Sequence, residues 1–156
     1  MKNKQLVEVL IAKGYKISFA ESCTGGYLAS SIIEVSGASQ VIDMSFVTYS
    51  NESKIKLVDV LKTTIDKYGV VSEQVGLEMA IGAAKKASAN IGVGITGNAG
   101  PTTDDRNHPV GMVCFGFFID GDAISITKNF GNIGRNKVRE AAVNYVFDVL
   151  LEKLGN

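Results

Sequence analysis

The order in which strand-like and helix-like patterns follow one another constrains the fold most. Short apolar or β-branched runs alternate with amphipathic segments early in the chain, and two strand-like runs then meet across a tight turn. Alternation of the first kind calls for parallel strands joined by helical crossovers, whereas a tight turn calls for antiparallel pairing. The chain is therefore expected to fold as an α/β domain, a mixed sheet covered by helices on both faces.

Leu6, Val7, Val9, Leu10 and Ile11 mark an amphipathic first helix that ends at Gly14. YKISFAE is a short apolar run suited to a buried strand, after which Ser22 is placed to cap a second helix through Ile33, with Gly37 closing the unit. Residues 41–49, VIDMSFVTY, are β-branched and aromatic enough for a second strand, and Asn51 is placed to cap a short helix holding Lys54. A helix around residues 60–68 precedes VVSEQVGLEMAIGAAKKAS, where Ser72 is the expected N-cap, Glu73 lies in the first turn and Lys85 and Lys86 lie near the far end. IGVGIT is a glycine-punctured strand leading into GNAGPTTDDRNHPVG, whose Gly, Pro, Asn and Asp density marks a long loop. Residues 110–119 and 122–129 form a hairpin around the Gly-Asp at 121 and 122, and a last helix runs from about Gly134 to Leu154.

The 156 residues suit one core, and no linker, repeat or low-complexity tract divides them, so residues 1–156 are expected to form a single domain. Sixteen basic side chains balance sixteen acidic ones, which gives no broad attraction to nucleic acid or anionic membrane and leaves a small anionic ligand open. Cys23 and Cys114 match no metal spacing, and His108 is the one histidine, so no metal is expected. The first residues are interrupted by charge, unlike a signal peptide, and no segment reaches ~18 uncharged apolar residues. A cytoplasmic location is expected.

Because the early strands feed loops at one sheet edge, residues 20–26, 48–54 and 96–101 are expected to converge there. At the start of a helix, Ser22 would stand beside the unpaired N–H groups of Thr24, Gly25 and Gly26, donors suited to an oxyanion or a phosphate. Ser22 is thus either a nucleophile or simply a cap. Lys54, about one turn into its helix, and Tyr49, at the end of its strand, are the candidate partners. To act as a base Lys54 must be neutral, and lowering its pKa from about 10.4 to near 7 requires roughly 4–5 kcal/mol. The alternative is a solvated lysine.

Cys23 is a rival nucleophile, but adjacent side chains on an incipient helix point about 100° apart, and a free cysteine commonly packs inward. GITGNAGP either admits a nucleotide, with Thr96 as hydrogen-bonding group, or is a tight strand exit. Arg135 and Arg139 lie four apart on one face of the last helix, where they either clamp an anion or face solvent.

ESCTGG at 21–26, FVTYSNESK at 46–54, VSEQVGLEMAIGA at 71–83, GITGNAGP at 94–101 and PVG at 109–111 occur together in one order. In this the chain resembles, over nearly its whole length, the CinA carboxy-terminal domain family, whose characterised enzymes are nicotinamide-nucleotide amidases of the PncC type. The resemblance implies a three-layer α/β/α domain that self-associates as a homo-oligomer, without the separate amino-terminal domain of longer members. It implies hydrolysis of nicotinamide mononucleotide to nicotinate mononucleotide and ammonia in pyridine nucleotide recycling, with no cofactor or metal. On matching positions, Ser22 is the nucleophile and Tyr49 and Lys54 its proton-transfer partners. Thr24, Gly25 and Gly26 stabilise the oxyanion, and Thr96 and Arg135 hold the nucleotide. Two departures stand out. The loop after GITGNAG carries Asn98 and an acidic Asp104–Asp105 pair, which would oppose a phosphate unless Arg106 offsets it, and the acidic neighbour usual before Arg135 is replaced by Gly134. These departures motivate an alternative: a catalytically inactive nucleotide-binding paralogue acting as a sensor or protein partner.

Overall fold

The computed structural model describes residues 1–155. Its strands are β1 (Ile17–Glu21), β2 (Phe46–Val47), β3 (Ile91–Gly97), β4 (Met112–Ile119) and β5 (Asp122–Asn129), joined in one sheet of order β2-β1-β3-β4-β5. β1 runs parallel to β2 and β3, whereas β3, β4 and β5 are antiparallel neighbours. The mixed sheet follows the order of patterns along the chain. In the hairpin Ile119 pairs with Asp122, which makes Asp120 and Gly121 the two turn residues, one position earlier than the sequence suggests. Both have positive φ, as the twist of a two-residue hairpin requires.

The helices are α1 (Lys2–Lys13), α2 (Tyr27–Ile33), α3 (Asn51–Val58), α4 (Lys62–Tyr68), α5 (Glu73–Ala87) and α6 (Arg135–Leu154). α1, α2 and α6 bury Leu6, Leu10, Leu28, Ile32 and Val146 against Phe19, Phe115 and Phe117 of the sheet. On the opposite face Val58 of α3 and Val75, Met79 and Ala83 of α5 pack around Ala20. The result is a three-layer α/β/α domain. α5 lies almost directly on the sheet backbone, because a Cβ placed on Gly94 or Gly116 would run into the carbonyl of Gly76, and one on Gly92 into that of Ala80. That is the physical reason for the glycine spacing in IGVGIT. Among the described residues, no helix is long and apolar enough to cross a membrane.

Three local expectations are corrected. Ser22 does not cap α2: residues 22–26 form a turn, and Gly26, with φ 101°, holds the cap position without a side-chain bond. The cap comes instead from buried Glu21, whose carboxylate accepts from the N–H groups of Leu28 at 2.9 Å and Ala29 at 3.1 Å. The left-handed Gly25 and Gly26 turn the chain back so that the residue before the turn reaches the helix after it. Glu21→Ala is accordingly expected to cost about 1–2 kcal/mol in urea denaturation, the usual loss for an N-cap.

Residues 41–49 contribute only Phe46–Val47 to the sheet. The hydroxyl of Ser45 takes a strand's place beside Phe19, accepting from its N–H and donating to its carbonyl, so the ladder stops there. Finally, Ser50 rather than Asn51 caps α3, in a reciprocal box: Ser50 Oγ accepts from Ser53 N–H, and Ser53 Oγ accepts from Ser50 N–H. The expected caps at Ser72 and Gly14 are present.

Candidate active site

β1, β2 and β3 all end at the same edge of the sheet, and the chain leaves β1 toward β2 on one side while β3 lies on the other. Open α/β sheets bind ligands in the crevice at such a switch point. Ser22 directly follows β1 and is held there by its N–H, which donates to the Ile95 carbonyl on β3. A cavity of about 250 Å³ opens at this edge, and its lining includes Ser22, Tyr49, Lys54, Thr96, Asn98, Asp104 and Arg135. The three loops expected to converge do so. A larger groove of about 600 Å³ beside α2 offers Asp43 as its one charged side chain and so lacks comparable chemistry.

Lys54 projects from α3 toward the sheet and is only 1% exposed, so it is not a solvated helix lysine. Its Nζ lies 3.2 Å from Ser22 Oγ, 2.7 Å from the Thr48 carbonyl and 3.4 Å from the Tyr49 carbonyl. Among the described residues no carboxylate pairs with it. Burial lowers its pKa from 10.5 to about 8, because water is removed and no anion replaces it. The two carbonyls can only accept. A neutral amine that donates to both therefore directs its remaining lone pair toward Ser22, the one partner that can donate a proton.

Burial pushes the Cys23 thiol up to about 11, and its side chain packs in the apolar cluster under α1, α2 and α6. Cys23 also lines the cavity, but its thiol thus remains protonated near neutrality. Thr96, 1% exposed, lines the cavity while its hydroxyl donates to the Val70 carbonyl. The Arg135 guanidinium donates to the Gly100 carbonyl at 2.6 Å and to the Tyr49 hydroxyl at 3.1 Å. Tyr49 is 65% exposed, so its ring stands at the cavity mouth, while its carbonyl holds Lys54. In the turn after Ser22, Gly25 N–H donates back to the Ser22 carbonyl, which removes it from the expected oxyanion donors. The N–H groups of Thr24 and Gly26 have no partner among the described residues.

Residues 1–154 match the family described as the CinA C-terminal domain. The chain belongs to that family. A CinA-like protein of Petrotoga mobilis is 43% identical over 147 residues, which is 94% of this chain and 36% of that protein. The chain thus spans about a third of the length of the curated relatives it matches. Among solved structures, a competence or damage-inducible protein from Enterobacter asburiae is similar with a TM-score of 0.96 and 32% identity, over 99% of this chain and 96% of that one. The competence/damage inducible protein CihA from Agrobacterium tumefaciens gives 0.89 and 35%, over 97% and 95%.

Within this CinA C-terminal domain, two residues make contacts that sequence reasoning did not assign to them. Arg139 is half-buried, and its guanidinium donates to the carbonyls of Cys23 and Thr24 and so holds the turn that carries Ser22. The four-residue spacing to Arg135 placed it on the correct helix face, but nothing local identified carbonyls as its partners. Asp104 is the second. Its Oδ1 accepts from the N–H groups of His108 and Arg106, and its Oδ2 lies 2.6 Å from His108 Nδ1. Arg106 does not offset the acid, because its guanidinium turns away to the carbonyls of Asp66 and Lys67.

Proposed function

We propose that the protein is an amidohydrolase that cleaves the carboxamide of nicotinamide mononucleotide, giving nicotinate mononucleotide and ammonia. The observation that carries this reading is the buried Lys54, whose Nζ is 3.2 Å from Ser22 Oγ and is otherwise held by two carbonyls. In the neutral form it accepts the Ser22 hydroxyl proton as Oγ bonds to the carboxamide carbon. The oxyanion that forms takes donors from the turn, where Thr24 and Gly26 N–H are unoccupied. The Lys54 ammonium then returns the proton to the amide nitrogen, the C–N bond breaks and ammonia leaves a Ser22 acyl ester. Water hydrolyses that ester by the same proton route, releasing the carboxylate and restoring Ser22. Tyr49 serves as a second proton-transfer group at the cavity mouth. Thr96 and Arg135 hold the nucleotide, Arg135 being fixed by Gly100 and Tyr49 so that its guanidinium faces the opening.

The test is ammonia release from nicotinamide mononucleotide. The unaltered protein is expected to turn over, and Ser22→Ala to lose activity by roughly 10³-fold or more, as removal of a nucleophile does. Cys23→Ala is expected to retain most activity. Tight nucleotide binding with no ammonia release would instead mark a binding protein that has lost turnover, the reading that the altered loop after Gly97 favours.

A further inference from the structure

The long loop forms one wall of the cavity, and it is fastened rather than loose. Asn98 N–H donates to the Met112 carbonyl and Gly111 N–H donates to the Asn98 carbonyl, which closes the loop at its base. The Asn98 side chain adds a bond from its Nδ2 to the His108 carbonyl and accepts from Gly100 N–H. Within this frame the Asp104 carboxylate gathers two backbone N–H groups and the His108 ring. Burial opposes its charge, but those donors outweigh burial and keep its pKa below the usual value. Asp104 lines the cavity, whereas His108 does not.

Charge on the cavity wall is consequently of two kinds. Lys54 and Arg135 are the bases and Asp104 is the one acid among the lining residues. No arginine or lysine among the described residues bonds to Asp104, since Arg106 is turned away. At about 250 Å³ the space has room for a ring that bears the carboxamide. In a ring that bears the reacting carboxamide, a positive ring nitrogen enters the cavity together with the amide carbon. The acid in the wall then favours the cation through the field of a partly desolvated carboxylate.

We propose that Asp104 is a specificity-determining residue that selects an N-ribosylated pyridinium carboxamide over the same molecule with an uncharged ring. This rests on the amidase reading and specifies the ring on which it acts. The probes are nicotinamide mononucleotide and its 1,4-dihydro form, which share carboxamide, ribose and phosphate and differ in ring charge. Calorimetry on the Ser22→Ala protein measures binding without turnover.

The cationic form is expected to bind at least about tenfold more tightly with the loop unaltered, a preference of ~1.4 kcal/mol. Adding Asp104→Asn, which keeps an acceptor oxygen and the side-chain size, is expected to abolish most of that preference while changing the dihydro form's affinity less than about threefold. Asp104→Glu, which keeps the charge, is expected to retain it. Equal binding of both probes to the parent protein overturns the inference without touching the amidase reading, whatever the variants do. So does an unchanged preference in Asp104→Asn, or an equal weakening of both probes, which would make Asp104 a loop fastener alone. A parent that binds neither probe overturns the amidase reading and this inference with it.

Discussion

Lys54→Met is expected to lower ammonia release by roughly 10²–10⁴-fold, the range supplied by a positioned general acid and base. The side chain keeps its length and loses the nitrogen that stands 3.2 Å from Ser22 Oγ. With a pKa of about 8, Lys54 is mostly protonated at neutral pH. kcat/KM of the unaltered protein is therefore expected to rise about tenfold per pH unit below that value and to level off above it. A pH profile from 6 to 9.5 checks this. Flat activity across that range, or near-normal turnover by Lys54→Met, would show that the proton goes elsewhere.

The same shift has a consequence for stability, with the sign set by linkage. The folded pKa of about 8 lies below the ordinary 10.5, so between these values the unfolded chain binds more protons and stability rises with pH. Below about pH 8 both states are protonated and the full cost of burying the ammonium is present, on the order of 3 kcal/mol. Above 10.5 that cost is gone. Urea denaturation at pH 7.5 and 9.5 is expected to show a rise from this group in the unaltered protein that Lys54→Met lacks. The variant also leaves the Thr48 and Tyr49 carbonyls without a donor, a loss of about 1–3 kcal/mol that works against the relief of the buried charge. A site that keeps a destabilising charge beside a hydroxyl is consistent with its being retained for chemistry.

Gly116→Ala is expected to be strongly damaging to stability. A Cβ at 116 would meet the Gly76 carbonyl and the Leu77 Cα at 2.5 Å, both backbone atoms of α5 that no side-chain rotation can move. α5 must then lift from β3 and β4, which opens space around Val75, Met79 and Ala83. A cost of about 3 kcal/mol or more is expected, and at ~2–4 °C per kcal/mol for a chain of this size Tm falls by roughly 10 °C. Gly14→Ala is the control. Its φ is 68°, but nothing lies within 4 Å of a Cβ there, so the cost is backbone strain alone, about 1 kcal/mol. Equal losses at the two positions in thermal melts would mean that close helix approach does not govern the packing.

Legibility in the sequence depended on the range over which each interaction acts. α5 was readable because Ser72, Glu73 and the terminal lysines act within one helix, and the hairpin because its turn is two residues long. The short reach of β2 was not readable. Its pattern was a strand's, and only the cross-chain bonds from Ser45 to Phe19 ended the ladder. Ser22 was singled out as a helix cap, and the structure revises that: the carboxylate of Glu21, not the serine hydroxyl, caps α2. The motifs at 21–26 and 46–54 nominated Ser22, Tyr49 and Lys54 together, whereas composition alone left Lys54 open between a base and a solvated side chain.

By itself, then, the sequence determined the α/β class, the mixed sheet and the convergence of three loops at one edge, because hydrophobic period and turn chemistry are local. Through its ordered motifs it also determined the family, to which residues 1–154 belong. The tertiary structure alone decided that Lys54 is buried against Ser22, that Arg139 grips the turn that carries Ser22, and that Asp104 enters the cavity while Arg106 turns away. Each of these depends on which backbone carbonyl or N–H a side chain meets after crossing dozens of residues. That pairing is fixed by packing, and no spacing along the chain encodes it.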